Sequence, residues 1–267
     1  AKNKPYRENL FAEFHPDMAQ IGLELYLDQA LQDTVLSWAI ESELIEKESP
    51  ELPYEYKYSD IGFYLLKTMG ERMINQPIDD FVAHNLFGPL GMRTCFEPLC
   101  YYSKDVIVPT EVDDVFRKEL VHGFVHDRNA ALFGGVSGHA GLFGNAHDIA
   151  KLLQMHLQKG FYGGVQYYYP ETIELFTGSQ FVGNRRGLGW DKPSPEPNGP
   201  TSDLASELTF GHTGFTGTGI WADPKEELIF IFLSNRVHPS SDNLKLIEQN
   251  IRTRVQDLAY GAIITEQ

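Results

Sequence analysis

A mixed α+β fold, with helices flanking antiparallel strands, is what this 267-residue sequence predicts. Three stretches carry the prediction. Phe210-Gly211-His212-Thr213-Gly214-Phe215-Thr216-Gly217-Thr218-Gly219-Ile220-Trp221 alternates glycine with β-branched and aromatic residues, then leads through Ala222-Asp223-Pro224 into Glu227-Leu228-Ile229-Phe230-Ile231-Phe232-Leu233. The second run is short, branched, aromatic and free of breakers, as a buried strand is. After Tyr58-Ser59-Asp60, apolar residues recur at every fourth position (Ile61, Leu65, Met69, Met73), the spacing of one helix face. Toward the C-terminus, Asn243 to Ala259 places Leu244, Ile247, Ile251, Val255 and Leu258 along one side of a helix.

The first stretch organises the rest. Glycine inside a strand weakens it, because it costs backbone entropy and packs nothing. Glycines at 211, 214, 217 and 219 therefore read either as a wall against which a ligand lies, or as an ordinary glycine-rich edge strand or hairpin.

Taken in order, Leu31 to Leu44 reads as a helix with Val35, Leu36, Ala39 and Ile40 on one face, and 46–51 as a charged loop. Ser59 or Asp60 is suited to cap the next helix, which puts Tyr58 at its mouth. Gln76-Pro77 closes that helix, Ile78 to Leu86 forms a short one, and Phe87-Gly88-Pro89-Leu90-Gly91-Met92 is a turn. Thr94 to Glu119 is irregular, with a short strand expected at Val106-Ile107-Val108. Asn145-Ala146-His147-Asp148 resembles a capping box opening a helix from Ile149 to Gln158. Pro170 begins another helix, and Asp191 to Ser206 is a polar, proline-rich loop. No internal repeat is present, and the expectation is one domain over residues 1–267.

Composition narrows the function. With 42% apolar and 22% charged residues the chain has the makings of a globular core. Its 37 acidic against 22 basic residues leave a net charge of −15, which argues against nucleic-acid partners. No apolar run is long enough for a membrane span. The start at Ala1, without an initiator methionine, is that expected of a processed or excised piece. Cys95 and Cys100 are close enough to bridge around a tight loop, but a pair of ordinary thiols is the favoured reading.

Several chemistries can be weighed. His122 and His126 lie four apart, but Gly123 and branched neighbours disfavour a helix there and no glutamate lies between them, so no metal site and no cofactor is expected. Ser137 sits in Gly-Val-Ser-Gly-His, a displaced form of the nucleophile elbow that reads as a tight turn. Tyr58 can act as a base only if a cation lowers its pKa from about 10, and no nearby lysine is placed to do so.

In combination, Tyr58-Ser59-Asp60 before a helix and His212-Thr213-Gly214 on a strand resemble the serine β-lactamase and penicillin-binding-protein superfamily. So do 87–92, Gly138-His139-Ala140-Gly141-Leu142-Phe143 and 210–217, with the likeness nearest to its class C-like esterase and D-amino-peptidase branch. More narrowly, the chain is similar to the serine-hydrolase module fused to family-3 β-N-acetylglucosaminidases in Bacteroidetes-type bacteria. The resemblance implies layered α/β/α architecture, an exported, periplasmic setting and a fused glycoside hydrolase. The family carries Ser-x-x-Lys, Tyr-x-Asn and Lys/His-Thr-Gly elements. Here no serine or threonine has a lysine three residues on. The nucleophile is therefore expected N-terminal to Ala1, and this chain alone is expected not to acylate.

Carried over by position, the resemblance makes Tyr58 the proton shuttle. Asp60 stands in for the usual asparagine as partner of the absent lysine, and ionised it cannot donate to a substrate carbonyl. His212 becomes a pH-dependent cation where relatives have lysine. The Phe215 N–H is implied as an oxyanion donor, and Ser59, Thr213, Gly214 and Gly217 line the substrate. Tyr58 and His212 are expected to meet at one hollow. The substrate classes implied are an ester, a D-amino-acid amide or a peptidoglycan-derived peptide; the competing reading is a non-catalytic module that binds cell-wall fragments. Strand edges left open by the absent strands are expected to favour self-association.

Overall fold

The computed structural model describes residues 9–47, 49, 51, 54, 56–194, 196 and 199–264. The Ala1 start lies outside the described residues, as do positions 48 and 50 of the expected 46–51 loop and positions 195, 197 and 198 of the 191–206 loop. The chain falls into two compact units, one of residues 1–84 and 95–143, the other of residues 85–94 and 144–267.

The first unit opens with three strands that periodicity did not reveal: β1 (Leu10–Phe11), β2 (Met18–Gly22) and β3 (Leu25–Asp28), antiparallel in the order β1-β3-β2. β1 has only two residues, and β2 (Met-Ala-Gln-Ile-Gly) and β3 (Leu-Tyr-Leu-Asp) show neither strict apolar–polar alternation nor a branched apolar run. Ile21 and Leu27 from this sheet join Leu31, Val35, Tyr64 and the 130–133 stretch in one core cluster. Helix α1 (Ala30–Ile40) stops four residues short of the expected end. The Glu41 N–H bonds Ser37 O at 2.8 Å, and the Ser42 hydroxyl turns back to Ala39 O at 2.8 Å. Leu31, Val35 and Leu36 are its buried positions, while Ile40 and Leu44 face solvent.

Helix α2 (Ile61–Ile74) forms where expected but buries a different face. Met69 and Met73 are 57% and 83% exposed, whereas Tyr64 is 6% exposed. Apolar periodicity finds a helix; which face is covered depends on the neighbours, here Phe133 and His139, whose rings lie 5.0 and 4.9 Å from that of Tyr64. The helix ends at left-handed Asn75, and α3 (Ile78–Val82) runs into a wide π turn over Ala83–Phe87. The strand expected at 106–108 is absent. Single 3-10 turns occur at Pro98–Cys100 and Lys104–Val106, the second capped by the Ser103 side chain, and Val106 and Val108 lie exposed with no sheet to cover them. A two-residue ladder, β4 (Val112–Asp113) with β5 (Glu119–Leu120), precedes α4 (Arg128–Leu132).

In the second unit α5 (Ala146–Leu157) begins three residues before the expected position, because Asn145 itself closes its first turn. Asn145 Oδ1 accepts from Asp148 N at 3.0 Å and Asn145 Nδ2 donates back to Asp148 at 2.9 Å. A hairpin of β6 (Phe161–Tyr162) and β7 (Val165–Gln166) leads to α6 (Pro170–Thr177), whose proline fills the first helical position. The main sheet is β8 (Phe210–Thr213), β9 (Gly219–Asp223) and β10 (Leu228–Phe232), antiparallel in the order β10-β9-β8. The 210–221 stretch, read either as a ligand-lining strand or as an edge strand or hairpin, forms two antiparallel strands around a turn at 214–218. Leu153 of α5 packs on Phe210 and Ala222, each almost wholly buried. The leucine and phenylalanine side chains contribute about 1.5–3 kcal/mol apiece when taken from water.

The expected 243–259 helix is broken at Asn250, whose φ is 50°, into α7 (Lys245–Glu248) and α8 (Ile251–Ile264). The side of it expected to be buried is not: Leu258 is 75% exposed and Leu244, Ile247 and Val255 also reach solvent. Thr253, Gln256 and Tyr260 are buried instead. Polar partners hold two of them: Gln256 Oε1 accepts from Ser202 N at 2.9 Å and the Tyr260 hydroxyl donates to Asp223 at 2.8 Å.

Candidate active site

Strand β8 carries the most developed chemistry of the second unit. His212 Nδ1 lies 2.7 Å from Thr213 O, and Nε2 lies 3.1 Å from Arg186 Nη1. A carbonyl only accepts and a guanidinium only donates, so the ring carries its proton at Nδ1 and accepts at Nε2. Arg186 is fixed in turn by Asp191, at 3.3 Å, and Arg185 grips the same carboxylate with two nitrogens at 2.7 and 3.1 Å. Asp191 is 2% exposed and stitched to β8 by reciprocal backbone bonds with Gly211 of 2.7 and 3.0 Å. The fixed positive charge beside β8 is therefore Arg186, which no periodicity or motif singled out.

Gly211 faces Trp221 in the β8–β9 register, and a Cβ there would lie 2.0 Å from Ile220 O and 2.6 Å from the Trp221 ring. At Gly217, φ is 121° and a Cβ would fall 2.7 Å from the Ser234 hydroxyl. Both positions need glycine because the chain's own atoms press against them.

The turn after His212-Thr213 is held by its carbonyls. Gly214 O and Thr218 O accept from Arg252 Nη1 at 3.2 and 2.8 Å. Phe215 O accepts from Arg236 Nε and Thr216 O from Arg236 N, both at 2.8 Å. Gly217 O accepts from the Ser234 hydroxyl at 2.8 Å. Five consecutive carbonyls are bonded, and the Arg236 guanidinium also lies over the Phe215 ring, 4.5 Å from its centre. Phe215 itself sits in the turn and is 66% exposed. Burial, together with the neighbouring Arg236, lowers the pKa of Arg252.

In the first unit, Tyr58 precedes α2 with 59% of its surface exposed. Ser59 is the residue that caps: its hydroxyl accepts from Ile61 N at 3.3 Å. Asp60 occupies the N-cap position without a side-chain cap bond, and its carbonyl accepts from Phe63 N and Tyr64 N. Lys67, one turn further along, is committed to Glu71 at 3.0 Å. The Tyr64 phenol is pushed up to about 12, by burial first and then by Asp60 and Asp127. A hollow of about 80 Å³ in this unit lies between β2, the 97–100 turn and Gly134-Gly135, and neither Tyr58 nor Asp60 lines it.

Ser137, read as a tight-turn residue, takes part in a Ser-His-Asp chain. Its hydroxyl lies 3.0 Å from His139 Nδ1, and His139 Nε2 lies 2.9 Å from Asp127. Burial works to raise the Asp127 carboxyl, but the His139 hydrogen bond and the Ala130 N–H outweigh it and leave its pKa lowered. Ser137 is only 5% exposed. The hydrogen-bonded row therefore ties the 137–139 turn to the N-terminus of α4, which Asp127 caps, and does not present a nucleophile.

His122 and His126 are not on a helix; their Nε2 atoms meet Ile107 O at 2.7 Å and Glu111 at 2.9 Å. Among the described residues no group of three or more His, Cys, Asp or Glu could hold a metal ion. Cys95 and Cys100 are free thiols. No helix among the described residues is long and apolar enough to cross a membrane.

Comparison with known proteins agrees with this architecture. The Beta-lactamase family profile matches residues 18–252. An Escherichia coli protein, provisionally named a D-alanyl-D-alanine carboxypeptidase, is 39% identical over 235 residues, which cover 80% of this chain and 54% of that protein. A Salmonella agona protein of the same name is 36% identical over 214 residues, covering 73% of this chain and 50% of its own. The chain thus spans about half the length of the curated relatives it matches. Among solved structures, the octameric penicillin-binding-protein homologue of Pyrococcus abyssi superposes with a TM-score of 0.56 at 17% identity, over 84% of this chain and 48% of that one. That likeness speaks to fold alone. A profile match across most of the sequence and a relative 39% identical over 80% of the chain place it in the β-lactamase family of serine hydrolases.

Proposed function

We propose that the chain supplies the tyrosine-bearing and strand-bearing parts of a serine hydrolase that works through an acyl-enzyme on peptides ending in D-alanyl-D-alanine. Esters and D-amino-acid amides are the other substrate classes of the reading. The observation that carries it is the Asp191–Arg186–His212 row beside β8. A charge held there by a buried carboxylate suits a substrate with a terminal carboxylate, and a guanidinium remains charged at every working pH. The names of the E. coli and Salmonella relatives support the same class.

In this reading Tyr58 moves protons, Asp60 takes the place of the asparagine that partners the lysine, and Phe215 N–H is an oxyanion donor. Ser59, Thr213, Gly214 and Gly217 lie along the substrate. The nucleophile and its lysine come from outside these residues, in one domain, so the chain by itself is inactive. An exported protein of the esterase-like branch, fused to a glycoside hydrolase and able to self-associate through an open strand edge, completes the proposal.

The test is covalent labelling of the full-length protein with a fluorescent penicillin and a fluorophosphonate. An adduct, with turnover of a D-alanyl-D-alanine peptide lost in Tyr58→Phe, is expected. Saturable binding of muropeptides with no adduct from either reagent would instead establish a non-catalytic binding module.

A further inference from the structure

We infer that Arg252 and Arg236 are positioning residues for the oxyanion turn, acting on the shape of 214–218 and not on the substrate. The inference rests on the hydrolase reading, in which Phe215 N–H faces the developing oxyanion. A peptide N–H points where its plane points, and the plane that contains the Phe215 N–H also contains Gly214 O. Arg252 Nη1 holds that oxygen at 3.2 Å and Thr218 O at 2.8 Å, so one nitrogen ties both ends of the turn. Arg236 fixes the next two planes through Phe215 O and Thr216 O, each at 2.8 Å.

The two cations are anchored away from the turn. Arg236 is 6% exposed and its Nη1 also donates to Ser241 O at 2.8 Å and Asn243 O at 3.1 Å. Arg252 stands on the first turn of α8. Placing two like charges close together has an electrostatic cost, which the separate carbonyl acceptors of each guanidinium offset. What the arrangement gains is a donor aimed before substrate arrives, so no reorganisation is needed as charge develops.

The experiment compares Arg252→Met and Arg252→Lys in the full-length protein. Single-turnover acylation by a fluorescent penicillin, counted per labelled molecule, and kcat and KM for a D-alanyl-D-alanine peptide are measured beside amide hydrogen exchange at Gly214 and Gly217. Arg252→Met is expected to slow acylation and kcat about 10–100-fold, with KM changed less than about threefold, and to speed exchange at both amides. Arg252→Lys, which keeps the charge and most of the stem, is expected to fall between. Variants whose labelled molecules acylate at the wild-type rate, whatever their yield or melting temperature, would overturn the positioning role. If the wild-type protein neither labels nor turns over, the hydrolase reading fails. Exchange then decides the clamp alone, and unchanged exchange in both variants would overturn it as well.

Discussion

Arg186 Nη1 and His212 Nε2 lie 3.1 Å apart, with the imidazole accepting from the guanidinium. The guanidinium offers a permanent cation beside the strand, and the ring stands between it and the Thr213 carbonyl.

Arg186→Ala is therefore expected to weaken turnover of peptides with a free C-terminal carboxylate about 10–100-fold, as loss of a charge-assisted hydrogen bond does. The same peptides amidated at the C-terminus should change less than about threefold. Steady-state kinetics on the acid and amide pair decides it, and equal losses on both would remove Arg186 from substrate recognition.

Gly217 and Gly163 separate two costs that a Cβ can bring. Both have positive φ, 121° and 58°, but a Cβ at 217 meets Ser234 and Arg236, whereas nothing lies within 4 Å of one at 163. Gly163→Ala is expected to lose only the backbone term, about 1–2 kcal/mol. Gly217→Ala should lose that and about 1–3 kcal/mol more from crowding. Urea unfolding of the two variants measures the difference.

Asp223 ties together several segments of the second unit. It accepts from Ser206 N at 2.9 Å, from Lys225 N at 3.0 Å and from the Tyr260 hydroxyl at 2.8 Å. Burial raises its pKa, yet these donors outweigh burial and the net shift is downward. A carboxylate with a lowered folded pKa contributes stability above its unfolded value, about 3.9, and loses it as pH falls through the folded one. Urea midpoints should hold steady from pH 7 to 5 and decline below 4. Asp223→Asn should be destabilised by about 1–3 kcal/mol at pH 7 and show a shallower acid decline.

His156 gives the opposite kind of group the same sign. Its ring lies 5.2 Å from that of Trp190 and 6.0 Å from that of Phe210, and burial lowers its pKa. The folded state favours the neutral ring, so the contribution is complete above the unfolded value of about 6.5 and is lost as pH falls below it. His156→Phe should flatten the stability profile between pH 6.5 and 5, read by melting temperature in matched buffers.

Much of this was legible in residues close along the chain. The Asn145–Asp148 cap, the helix after Asp60 and the β9–β10 hairpin follow from local turn and capping chemistry, which acts over three or four positions. What escaped was set by distance. Arg186 meets His212 across 26 positions and Arg252 meets Gly214 across 38, and nothing in spacing marks such a pair. Strands β1 to β3 show neither strict alternation nor a branched apolar run, and the faces of α2 and α8 were misjudged because distant partners decided which side is covered: Phe133 and His139 on α2, Ser202 and Asp223 on α8.

The Tyr260–Asp223 bond fastens α8 two turns beyond Arg252 on the same helix. A helix secured by oriented hydroxyl and amide groups cannot slide a little and stay attached, as one held by oil-like side chains can. Slack introduced at that anchor would travel along a stiff rod to the guanidinium at its other end, so remote disturbances of α8 would register in the contour of residues 214–218.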